Sequence, residues 1–155
     1  MKIRTVEEVE NTDRDVMFTG GYSKRLILKE DGMGFSFMKT IVPKGGPHHW
    51  HYKHHLESCY CIQGKGILTN LDTKEVFNIE VDTVYSLDDN DNHTFEAIED
   101  VILMSVFNPP VTGLEIHQED GSYKIELAKE IVHKISECTN DYDAIDEVNE
   151  LLKIR

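Results

Sequence analysis

Five of the chain's eight histidines, His48, His49, His51, His54 and His55, fall within eight consecutive residues, and the carboxylate of Glu57 follows at once. Neutral imidazole offers a lone pair without bringing a charge, which makes it the commonest biological metal ligand. Were the stretch a strand, His49 and His51 would share one face, and so would His55 and Glu57. A solvated histidine-rich loop is the plainer alternative. A terminal tag is not, because the cluster is internal and precedes the apolar run Ser58-Cys59-Tyr60-Cys61-Ile62. Cys59 and Cys61 form a C-x-C pair and Cys138 stands alone. A zinc knuckle would need a second pair, so reduced, buried or half-buried thiols are expected.

These residues need a scaffold, and most of the chain is built for strands. Arg25–Leu28, Phe35–Val42, Ser58–Ile62, Gly66–Thr69, Glu75–Ile79, Thr83–Leu87, His93–Ala97 and Val101–Phe107 are short runs rich in β-branched and aromatic residues. Turn formers punctuate them: Glu30-Asp31-Gly32, Pro43 to Pro47, Gln63 to Gly66, Asp88 to Asn92 and Asn108-Pro109-Pro110. Many short strands at close spacing predict a sandwich or barrel. From about Lys124 the period changes. Leu127, Ala128, Ile131, Val132, Ile135 and Cys138 recur at helical spacing, Thr139-Asn140-Asp141 recaps the chain, and Ile145, Val148, Leu151 and Leu152 form a second stripe. The expected organisation is a β-barrel over residues 1–123 and a two-helix extension over 124–155.

Composition bounds the partners. A chain of 155 residues, 39% hydrophobic and 29% charged, suits one soluble globular domain with a genuine core. A net charge of −13 argues against nucleic acid and anionic membranes. No apolar run is long enough to span a bilayer, and Met1-Lys2-Ile3-Arg4 leads into acidic residues and not a signal core, so a cytoplasmic location is expected.

His49-Trp50-His51, Glu57, Gly64 and His93 together resemble the two-motif metal pattern of cupins, small jelly-roll barrels. The resemblance then tightens. Leu28 to Phe37, His54-His55-Leu56-Glu57 with Tyr60-Cys61-Ile62 and Gly64, and Tyr85-Ser86-Leu87-Asp88 with Asp91 and His93 look like ectoine synthase. So do Val106 to Gly113 with Glu115, His117, Glu119, Asp120, Gly121 and Tyr123. The match runs in order from about Met1 to Tyr123. The two-helix tail is not part of the usual family pattern.

The resemblance implies a cyclodehydration: N-γ-acetyl-L-2,4-diaminobutyrate closes to the compatible solute ectoine with loss of water at an iron(II) centre, in a homodimeric enzyme. It implies Glu57, Tyr85 and His93 as the Fe(2+) ligands. It further implies Arg25, Thr40, Tyr52, Ser105, Phe107, Glu115 and His117 around the substrate. Tyr52, Glu115 and His117 are the expected catalytic groups, Arg25 the clamp on the substrate carboxylate, and Phe107 an apolar wall. Three positions depart from the family. Gly21 stands where a tryptophan is usual, Ser105 where a cysteine is common, and Met38 where a polar residue is common. Gly21 is expected to remove a large wall from the pocket, and Met38 to dry or enlarge it. A cupin that acts on a related N-acyl diamine or amide, or that senses a small ligand without turnover, is the alternative.

Overall fold

The strands that carry the site bury every second residue, the period expected of a sheet with one face turned to a core. On Val101–Asn108 the buried positions are Val101, Leu103, Ser105 and Phe107; on Ser36–Val42 they are Ser36, Met38, Thr40 and Val42. The computed structural model describes residues 1–113 and Glu115, all within a unit that spans Met1–Tyr123. His117 and the helical extension expected over 124–155 lie outside the described residues.

The chain opens with a short helix, α1 (Val6–Val9). Thr5 and Glu8 cap it reciprocally, and it buries Val9. Ten strands follow: β1 (Asp15–Phe18), β2 (Gly21–Ile27), β3 (Ser36–Val42), β4 (Gly45–Trp50), β5 (Leu56–Gln63), β6 (Gly66–Asn70), β7 (Val76–Ile79), β8 (Val84–Leu87), β9 (His93–Ala97) and β10 (Val101–Asn108). They form two antiparallel sheets, one of six strands in the order β1-β2-β3-β10-β5-β8 and one of four in the order β4-β9-β6-β7. This is the mainly β architecture that the strand runs predicted. The histidine stretch is only partly a strand. β4 ends at Trp50, the chain turns at Lys53 and His54, and β5 starts at Leu56.

The inner faces of the two sheets differ in chemistry. From the four-stranded sheet come Trp50, Leu68, Ile79, Phe95 and Ala97, with Trp50 stacked on Phe95 at 6.0 Å between ring centroids. Burying such side chains supplies the main driving force, about 1.5–3 kcal/mol for each large one. From the six-stranded sheet, Ser23, Arg25, Ser36, Thr40, Ser105 and Glu57 point inward as well. Buried polar groups are costly without partners, so this face is specialised for something other than packing. Gly64 lets β5 turn into β6. It sits at φ 82°, and a Cβ there would lie 2.1 Å from the carbonyl oxygen of Asp100.

A clasp ties the N-terminus to the barrel. Asp31 accepts from the Leu28 N–H at 2.9 Å and pairs with Arg4 at 3.0 Å, Lys2 at 3.2 Å and Arg14 at 3.4 Å. Arg4 foremost holds the Asp31 carboxyl well below the usual carboxylate range.

Candidate metal centre

Glu57 lies on β5, inward and 7% exposed, with Leu87 and Phe107 as its cross-strand neighbours. Among the described residues no cation is paired with it. Its Oε1 accepts from the Cys59 thiol at 3.2 Å. Cys59 also lies 3.1 Å from the Ser105 hydroxyl, which in turn lies 3.1 Å from Thr40 Oγ1. Burial raises the Glu57 carboxyl to about 7, against the opposing pull of donors from Cys59 and Ser105. A carboxylate in apolar surroundings with so few donors is short of positive charge.

Tyr85, on β8, is the Cα partner of Cys59 and half-buried. Burial, then the negative charge of its neighbours, pushes its phenol well above the ordinary value, so without a cation it stays protonated. His93 opens β9 at 1% exposure. Its Nδ1 lies 2.9 Å from the Asp91 carbonyl oxygen, which fixes that nitrogen as the N–H donor. Its Nε2 is buried with no hydrogen-bond partner among the described residues. Buried polar atoms are rarely left so, and an imidazole oriented through one nitrogen with the other lone pair free is the usual arrangement of a metal ligand. Burial keeps His93 below its ordinary pKa, the neutral form that ligation requires.

Two cavities meet at Tyr85. An inner one of about 10 Å³, lined by Glu57, Tyr85, Thr40, Tyr52, Trp50 and Phe107 among others, has room for about one water-sized occupant. A cleft of about 400 Å³ between β7 and β8 is lined by Tyr85 and His93 with Asn70, Asn78, Ser86 and Asp91 among others. Among the described residues, no three of His, Cys, Asp and Glu converge on one point. A metal site here therefore needs the tyrosine. One carboxylate, one phenol and one oriented imidazole form a hard-to-borderline donor set that fits iron(II).

The other expected site residues divide. Thr40, Tyr52, Ser105 and Phe107 face the inner cavity or its hydrogen-bonded row, and Tyr52 packs edge-on to Phe107 at 5.0 Å. Arg25 is buried nearby on β2, but its two terminal nitrogens donate to the carbonyl oxygens of Gly113 and Glu115. Its buried Nε–H has no hydrogen-bond partner among the described residues. The Glu115 carboxylate folds back on its own loop, accepting from Thr112 N–H at 2.6 Å, Thr112 Oγ1 at 2.8 Å and Gly113 N–H at 2.8 Å. Burial pushes this carboxyl up, and those donors outweigh it, leaving it below the ordinary value.

Of the histidine cluster, His49 is exposed and bonds Asn92 Oδ1 at 2.7 Å, and His55 Nδ1 lies 2.8 Å from the Pro109 carbonyl oxygen. The wall expected to be missing at Gly21 is not missing. A Cβ on Gly21 would sit 2.4 Å from the Ile41 carbonyl oxygen and 3.0 Å from the Phe18 ring, and Phe18 itself lines the inner cavity beside Trp50. Met38, which also lines the cavity, accepts from the Ser23 hydroxyl at 3.0 Å. Sequence reasoning left Phe18 and Cys59 without a role, and only their cross-strand register assigns one.

Solved structures place this barrel in its class. The fold matches the Cnp3 cupin domain of Schizosaccharomyces pombe with a TM-score of 0.50 at 22% identity, over 57% of this chain and 64% of that one. It is a cupin-type barrel with its polar residues gathered on the inner face of one sheet. The ectoine synthase family model matches residues 1–127. The L-ectoine synthase of Mycobacteroides abscessus is 44% identical over 123 residues, 79% of this chain and 95% of that protein. The crystal structure of ectoine synthase from P. lautus superposes with a TM-score of 0.69 at 36% identity, over 73% of this chain and 81% of that one. The chain belongs to the ectoine synthase family, whose reaction makes it a lyase catalysing cyclodehydration.

Proposed function

We propose that Glu57, Tyr85 and His93 hold iron(II) in this barrel, and that N-γ-acetyl-L-2,4-diaminobutyrate is closed to ectoine against it. The observation that carries the metal reading is the buried, unpartnered Nε2 of His93. Tyr85 links it to Glu57, lining both the cleft that His93 lines and the inner cavity that Glu57 lines.

In the reaction the free α-amine attacks the acetamide carbonyl carbon. A C–N bond forms, the carbonyl oxygen departs as water, and both amine protons leave with it. Bound iron supplies a Lewis acid for a carbonyl that is otherwise a poor electrophile. The chain's residues supply the rest. Phe18, Trp50, Tyr52 and Phe107 give the inner cavity beside Glu57 and Tyr85 an aromatic wall that limits competing water. The unpartnered Nε–H of Arg25 is a donor for the substrate carboxylate. Thr40, Ser105 and Tyr52 orient the amide, and Glu115 with His117 takes the amine protons. Glu115 meets the amine as a carboxylate already held by Thr112 and Gly113.

The same reading includes a homodimer in the cytoplasm. Met17, Tyr22, Tyr60 and Val84 are exposed on strands of the six-stranded sheet and offer apolar surface for association. No helix among the described residues is long and apolar enough to cross a membrane.

The test is anaerobic reconstitution with ferrous iron, then incubation with N-γ-acetyl-L-2,4-diaminobutyrate and chromatography for ectoine. Stoichiometric iron with ectoine formation supports the proposal. Bound iron without ectoine moves the chain to a related amide or to ligand sensing, and no bound iron removes the metal reading.

A further inference from the structure

We propose that Cys59 is the positioning residue of this centre: its thiol holds the Glu57 carboxylate by one oxygen and couples it to a row of hydroxyls on the neighbouring strands. The inference rests on the metal reading of Glu57 and extends it to a residue with no role so far.

The geometry is specific. Cys59 is 1% exposed and, two residues from Glu57 on β5, projects to the same face. Its Cα partners are Ser105 on β10 and Tyr85 on β8, so it sits midway between them. Its sulfur lies 3.2 Å from Glu57 Oε1 and 3.1 Å from Ser105 Oγ, and Ser105 lies 3.1 Å from Thr40 Oγ1. Thr40 on β3, diagonal to Ser105, thus joins Ser105 on β10 and Cys59 and Glu57 on β5 in one hydrogen-bonded row, with Tyr85 on β8 as the next cross-strand neighbour.

An ionised carboxylate only accepts, whereas a thiol or hydroxyl has one hydrogen to give. The thiol hydrogen therefore goes to Glu57. Ser105 gives its hydrogen to the sulfur or to the carboxylate itself, and Thr40 gives to Ser105. Every hydrogen in the row runs toward Glu57. With Oε1 held by the thiol, Oε2 is the oxygen left for a cation, so Glu57 binds through one oxygen. Partners that orient a ligand in this way typically contribute tenfold to a hundredfold in metal affinity.

Cobalt(II) titration of the metal-free protein tests this without recourse to turnover, because the visible absorption of bound cobalt reports ligand geometry. Cys59→Val keeps the shape and loses the donor, and is expected to weaken cobalt binding about tenfold or more and to alter the spectrum. Cys59→Ser keeps a donor and should stay within about threefold of wild type. Unchanged affinity and spectrum in Cys59→Val overturn the proposal, and so does a serine variant as weak as the valine one, which would reduce Cys59 to packing. Should Cys59→Val fail to fold, Ser105→Ala tests the same row: a severalfold loss supports it and unchanged affinity overturns it. Glu57→Ala is the control. If it leaves cobalt binding intact, the metal reading has failed and takes this inference with it; if it abolishes binding while Cys59→Val does not, only the role of Cys59 is lost.

Discussion

Asp31 and Glu57 are both buried carboxylates, and the protein treats them in opposite ways. Asp31 is surrounded by Lys2, Arg4 and Arg14 and capped by a backbone N–H, and its carboxyl is held far below the ordinary range. Glu57 has a thiol and hydroxyls for company and is pushed up to about 7. Charge that is fully answered by the fold serves stability. Charge left unanswered costs stability whenever the carboxyl ionises. Glu115 is intermediate, answered by its own loop.

The largest effect that could break this contrast is on activity. Glu57→Gln and His93→Ala should each lower cyclisation by about a hundredfold or more and lose bound iron, as removal of a metal ligand does. Metal analysis and product chromatography would show it. The apoprotein of Glu57→Gln should melt no lower than wild type, since an unpaired buried charge has been removed. A lower melting temperature would mean that Glu57 is structural after all.

Asp31→Asn should do the reverse. Leaving three cations without their partner is expected to cost about 3 kcal/mol in urea unfolding while kcat/KM stays within about twofold. A comparable loss of turnover would tie the clasp to the site and erase the distinction.

The pH dependence of the metal-free protein sharpens it further. Glu57 has a folded pKa near 7 against an ordinary 4.5, so the folded state holds the extra proton between these values. Its contribution is therefore complete below about 4.5, declines as pH rises, and is gone above about 7. The upper bound is about 3 kcal/mol. Wild-type apoprotein should lose more stability than Glu57→Gln between pH 5 and pH 8, and metal should abolish the difference. Asp31 works in the other direction: its depressed pKa stabilises at neutral pH, and that stability is lost only as pH falls below the ordinary carboxylate range. Identical wild-type and Glu57→Gln profiles would show that Glu57 is not destabilised by its surroundings.

The smallest effect is a contrast between histidines. His49 is exposed and already bonded to Asn92, so His49→Ala should change iron affinity by less than about twofold. A large loss would restore the ordinary cupin histidine pair as ligands.

Much of the barrel was legible because its strands alternate over a buried face. The expected run His93–Ala97 coincides with β9, and Val101–Phe107 differs from β10 by one residue. β4 was hidden, since Gly45, Gly46 and Pro47 are poor strand formers: Gly45 pairs with Ala97 of β9, and the ladder is irregular from there to His48. The chemistry was legible only where residue type mattered. That Glu115 would bond its own loop, or that Arg25 would face the Gly113 and Glu115 carbonyls, depends on where the chain returns after β10. The supposed loss of a wall at Gly21 misjudged space that Phe18 already fills.

β10 is the last described strand in the chain, yet it lies in the middle of the six-stranded sheet, bonded to β3 on one side and β5 on the other. During synthesis, β1-β2-β3 and the β5-β8 pair can assemble early but cannot join until residues 101–108 leave the ribosome. In that interval each half presents an open edge, the feature most prone to pair with a neighbouring chain. Insertion of β10 zips the halves together over large sequence separations, which makes for slow folding. Thr40 on one half and Cys59 and Glu57 on the other meet only then. The thiol–hydroxyl row from Cys59 through Ser105 to Thr40 is therefore completed only as the barrel closes.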